Sequence, residues 1–137
     1  MGTSQRMNHE AEFIRRFVIP QKRRRHLSLL ESHKGRKKLL EALDHFDELD
    51  PQYARLVPAD AQTVSHIEVL LKRKGALERC HVTSSNAGID DREMPLRQAL
   101  QETVGCGCGT IISCIPGKLA YFEGEEQNQR YILERSD

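Results

Sequence analysis

The densest group of chemically capable side chains in this 137-residue sequence is a run of cations: Arg15, Arg16, Lys22, Arg23, Arg24, Arg25, Lys34, Arg36, Lys37 and Lys38, ten bases against the single acid Glu31. Clustered Lys and Arg on a helical surface attract polyanions and gain free energy by releasing condensed counterions. Guanidinium groups also bond phosphate oxygens in a bidentate way. After Phe17 no Phe, Tyr or Trp lies in the run, so base stacking of the single-strand kind is not indicated. The expected chemistry is electrostatic, weakly sequence-specific contact with nucleic acid or with an acidic protein. The bland alternative is a solvated face whose cations pair with the acids of Glu41 to Asp50, or with the acidic second half of the chain, within one molecule or across a dimer.

A second group is His81, Thr83, Ser84, Ser85 and Asn86, followed by Ala87 and Gly88. It falls between an expected strand and an expected helix, where hydroxyls and backbone N–H groups gather around an anion or a substrate. It is the candidate pocket for a small enzyme or ligand-binding module, although Asp90, Asp91 and Glu93 follow it and would repel a phosphate. His81-Val82-Thr83 resembles the His-x-Thr form that occurs twice in two-histidine phosphoesterases. The one candidate for a second copy, His26-Leu27-Ser28, falls in an expected helix, so the resemblance implies no catalytic assignment, and His81 is expected as an exposed strand histidine.

Cys106 and Cys108, together with Cys80 or His81 and Cys114, are zinc-ligand types, but Cys-x-Cys without a second paired cluster lacks the spacing of a common finger. The four cysteines read as reduced thiols, and the glycines of Gly105-Cys106-Gly107-Cys108-Gly109 as a tight passage from helix to strand. Glu123, Glu125 and Glu126 are expected on a solvated loop tip. No phosphate-binding Walker loop, dinucleotide glycine fingerprint or His-Glu-x-x-His stretch occurs. No metal or cofactor is called for.

The elements that would carry these groups follow from periodicity. Phe13, Ile14, Phe17 and Val18 recur at helical spacing and stop before Pro20. Leu27 and Leu30, then Leu39, Leu40, Leu43 and Phe46, mark further helices, with Gly35 as a break and Asp50-Pro51 as the end. Val64, Ile67, Leu70 and Leu71 make another, capped by Asp60 and closed by Lys72 to Gly75. Alternation from Glu78 to Ser84 then indicates a strand with one wet side, and Pro95 opens a helix that ends at Gly105. Thr110 to Ile115 and Lys118 to Glu123 form a hairpin about Pro116-Gly117, and Arg130 to Arg135 completes a three-stranded meander.

The expected fold is α+β in one domain over 1–137: a tail over 1–8, three or four N-terminal helices forming a basic part over 9–75, and a β-α-β-β-β half over 78–135 with a mainly antiparallel sheet. Apolar groups on both sides of the strand from Thr110 imply that neither sheet face is open to water. Helices must cover one face, and helices or a second copy the other, so a homodimer is one solution. Charge divides along the chain: Met1 to Val57 carries 12 bases against 8 acids, and Pro58 to Asp137 carries 9 against 12. No stretch approaches the roughly 20 apolar residues that cross a bilayer, so no membrane is involved and a cytoplasmic location is expected.

Overall fold

A computed structural model describes residues 2–137, with side chains from Arg6 onward. Three helices come first: α1 (Gly2–Phe17), α2 (Pro20–Leu29) and α3 (His33–Ala42), followed by a 3-10 turn (Leu43–His45). Then come strand β1 (Ala54–Leu56), a second 3-10 turn (Ala59–Ala61), helix α4 (Val64–Arg73), strands β2 (Arg79–Ser84) and β3 (Arg92–Pro95), helix α5 (Leu96–Thr103), and strands β4 (Thr110–Ile115), β5 (Leu119–Glu123) and β6 (Arg130–Glu134). The fold is α+β, as the periodicities predict.

One six-stranded sheet runs in the order β1-β6-β5-β4-β2-β3, with every pairing antiparallel. The side-chain period of two divides it into two buried faces. Ile111, Phe122 and Leu133 point to one face and pack with Phe13, Phe17, Leu39 and Phe46 from α1, α3 and the segment after it. Ile112, Tyr121 and Ile132 point to the other and pack with Ile67, Leu71, Leu96 and Leu100 from α4 and α5. Each such fully buried side chain stabilises by roughly 1.5–3 kcal/mol. Both faces are therefore closed by helices of the same chain, which removes the reason for a second copy on the sheet.

Several boundaries differ from expectation for identifiable reasons. Of the tail expected over 1–8, residues 2–8 form the start of α1, which runs from Gly2, and Met1 lies outside the described residues. Gly35 does not break a helix. It lies inside α3, buried so closely that a Cβ would come 2.3 Å from the carbonyl oxygen of Leu29. The break falls before it, where Ser32 caps α3 by accepting the Gly35 N–H at 2.9 Å. Asp60 sits in a 3-10 turn, and Thr63 caps α4.

Strands β1 and β3 were not legible. Short edge strands of three and four residues have little room for alternation. Pro95 ends β3 and stands just before α5 rather than in its first turn.

Candidate functional site

The α2–α3 hairpin carries most of the cationic run, and the structure splits the ten cations into two sets. Five are engaged within the chain. Arg15 pairs with Glu12 at 2.9 Å. Arg16 donates to the carbonyl oxygens of Gly117 and Asp137 at 2.8 and 2.6 Å. Lys22 lies 3.7 Å from Glu48. Arg23 donates to the Val18 carbonyl at 2.7 Å and lies 3.6 Å from Asp50. Arg36 is drawn inward altogether. The other five, Arg24, Arg25, Lys34, Lys37 and Lys38, are exposed and form no ion pair among the described residues. Lys34, Lys37 and Lys38 stand at i, i+3 and i+4 on α3 and so share one side of it.

Arg36 is the centre of a buried polar seam between α1, α3 and the end of β2. Its Nε and Nη2 donate to Glu10 at 3.0 and 2.6 Å, and its Nη1 and Nη2 donate to Asp90 at 2.8 and 2.9 Å. The two carboxylates hold the guanidinium charged more firmly than usual, against the cost of burial. Glu10 also accepts from the Thr83 hydroxyl at 2.7 Å, and Asp90 from the Ser84 N–H at 2.9 Å.

The serine loop is consumed by the same kind of bonding. Ser84 shares a hydrogen bond with Thr110 at 2.7 Å, Ser85 donates to Asp44 at 2.8 Å, and the Asn86 side-chain oxygen accepts the Gly88 N–H at 3.0 Å. A cleft of about 370 Å³ lies beside it, lined among others by His33, Arg36, Lys37, Leu40, Ser85 and Asp90. It is where the two sequence candidates meet, since α3 forms one wall and the loop the other. His81 and Thr83 do not reach it. They face α1 and are buried, so the side of β2 expected to be wet is dry beyond Arg79.

His81 meets a partner that spacing cannot reveal. The His9 ring, from α1, stacks on it with centroids 5.2 Å apart and planes 12° apart. His9 Nδ1 lies 2.7 Å from the Ser113 hydroxyl, and His81 Nε2 lies 3.3 Å from Asp91, which also pairs with Arg6. Burial, reinforced by the neighbouring His81, pushes the His9 imidazole down to about 4. The parts of a Ser-His-Asp relay are present but divided between two rings, and Ser113 is 3% exposed. A cavity of about 520 Å³ lined by Asn8, His9, Arg79 and Glu93 adjoins the cluster without Ser113 in its wall. The arrangement ties α1 to the sheet, and its serine hydroxyl is buried and bonded to His9. His26 stands apart on α2, bonded to Glu48 at 2.6 Å.

One further expectation changes. Glu123 is not on a loop tip: it is fully buried, accepting from the Tyr121 hydroxyl at 2.7 Å and from the Gly105 N–H at 2.9 Å. Among the described residues no group of three or more His, Cys, Asp or Glu side chains is placed to hold a metal ion. No described helix is long and apolar enough to cross a membrane. No protein-family model matches the chain, and comparisons with curated proteins and with solved structures return no match.

Proposed function

We propose that the protein is a non-catalytic binding protein whose α2–α3 hairpin contacts the phosphate backbone of nucleic acid. The observation that carries this reading is the set of five exposed cations, Arg24, Arg25, Lys34, Lys37 and Lys38, with no ion-pair partner among the described residues. Glu48 and Asp50 pair with Lys22 and Arg23, as the bland alternative expects of part of the run, and these five cations are left facing solvent. Two helices joined by a short turn hold these charges on a folded surface, so little ordering entropy opposes binding.

Five contacts would make duplex affinity fall with salt at a log–log slope of about −4.5 at most. Electrophoretic titration against random-sequence duplex DNA and RNA at two salt concentrations tests this. Binding at low salt that disappears when all five are changed to glutamine is the expected result. No binding even at low salt rules the reading out, and binding only to an acidic protein would assign the surface to that partner.

A second reading, a small-ligand site, is supported by the cleft between α3 and the serine loop, whose volume of about 370 Å³ is within the range of small-molecule sites. Its hydroxyls are already bonded within the chain, so any ligand there would rely on Lys37 and His33. A screen of small anions by thermal shift, with Lys37→Gln as the control, tests it.

A further inference from the structure

The passage from α5 to β4 holds two thiols one residue apart, and its geometry sets them off from the other two cysteines. The passage is anchored at both ends: the Gly105 N–H donates to Glu123 at 2.9 Å, and the Gly109 N–H donates to Asp44 at 2.6 Å. Between the anchors the backbone has φ +86° at Gly105 and +75° at Gly107, values that glycine adopts freely. A Cβ at Gly105 would meet nothing within 4 Å, and one at Gly107 only the Glu125 carbonyl oxygen at 3.7 Å. The space beside both glycines is open.

Cys106 is exposed and Cys108 half-buried, whereas Cys80 and Cys114 lie inside the α4–α5 core. Burial pushes the Cys80 thiol up to about 12 and raises that of Cys114 further, so neither supplies thiolate. Burial and the carboxylate of Asp44 also raise the Cys108 thiol, and the exposed Cys106 sulfur is the one that a dissolved oxidant reaches first. Cα atoms two residues apart in a turn can fall within the roughly 4.4–6.8 Å that a disulfide spans.

We propose that Cys106 and Cys108 are a redox modification site that forms a reversible disulfide within the loop, with a low-molecular-weight disulfide such as oxidised glutathione as the oxidant. The Cys106 thiolate attacks one sulfur of that disulfide, forming a mixed disulfide and expelling one glutathione thiolate. The Cys108 thiolate then attacks the Cys106 sulfur and expels the second glutathione. The two thiol protons end on the two glutathiones, so the protein is oxidised by two electrons and the glutathione disulfide reduced by two. A ring this small strains the bond, so excess reduced glutathione returns the dithiol readily.

The test treats the native chain with oxidised glutathione and reads intact mass, accessible thiols and the peptide spanning 106–108. The expected result is a mass lower by two hydrogens, both accessible thiols lost, the bond mapped to Cys106–Cys108, and Cys80 and Cys114 reacting only after unfolding. Cys108→Ser should instead accumulate one mixed glutathione adduct at Cys106. A wild-type chain that keeps a stable glutathione adduct, links covalently to a second chain, or leaves both thiols unreacted overturns the proposal.

Discussion

Arg36 on α3 donates from Nε and Nη2 to the two carboxylate oxygens of Glu10 on α1, at 3.0 and 2.6 Å, with 12% and 3% of the side chains exposed. The same guanidinium grips Asp90 after β2. One residue of the cationic run is therefore an internal clamp between two helices and the sheet. Removing one partner of a buried pair leaves uncompensated charge and costs about 3–5 kcal/mol. Arg36→Met should lower the urea midpoint accordingly, and Arg36→Lys should recover only part of it, because the three donors of an ammonium cannot replace the four bonds of the planar guanidinium. Lys37→Gln, one residue on but exposed, should change stability by no more than about 0.5 kcal/mol. Equal midpoints for Arg36→Met and wild type would show that the clamp does not hold the seam.

His9 makes stability fall in acid. Its folded-state value near 4 lies below the ordinary imidazole value of 6.5. Between those two pH values the unfolded chain binds a proton that the folded chain does not. Stability present above about pH 6.5 is thus lost as pH falls and levels out near pH 4. The partly exposed ring is screened by solvent, so the loss is on the order of 1–2 kcal/mol. Unfolding measured across this window should show a shallower slope for His9→Gln than for wild type.

Gly109 is packed where no side chain fits, since a Cβ would come 2.2 Å from the carbonyl carbon of Leu43 and 2.4 Å from the Asp44 nitrogen. Gly109→Ala should push the passage off the 3-10 turn and loosen the Asp44 contact, at a cost of about 1–3 kcal/mol. Faster amide exchange at Gly109 is the accompanying readout. A Gly105→Ala control meets no neighbour, although its φ of +86° carries its own strain.

Glu123 is held in the α4–α5 face by Tyr121, whose hydroxyl burial and the adjacent carboxylate keep strongly protonated. Tyr121→Phe removes the donor and leaves Glu123 with the Gly105 N–H and Arg130 at 3.5 Å. A loss of about 1–3 kcal/mol in denaturant unfolding is expected, whereas an unchanged midpoint would mean that Arg130 takes over the bond.

The regular elements were readable because each rests on local chemistry. Helix α4 has a 3.6-residue apolar period and a glycine at φ +106° after it, and the β4–β5 turn has Pro116 followed by Gly117 at φ +70°. The serine loop was readable as turn chemistry but not as a bonded one, because its acceptors Asp44, Glu10 and Thr110 come from distant parts of the chain. The same holds for the cationic run. Composition marks all ten residues alike, and nothing local separates Arg36 from Lys37.

The sequence by itself determined the α+β class, the helices and the central hairpin, since these depend on neighbours a few residues apart. Only the tertiary structure decided which charges are spent inside and which face outward. Arg36 is buried because Glu10 and Asp90, 26 and 54 residues away in sequence, converge on it, and desolvating a guanidinium is tolerable only where fixed carboxylates replace the water.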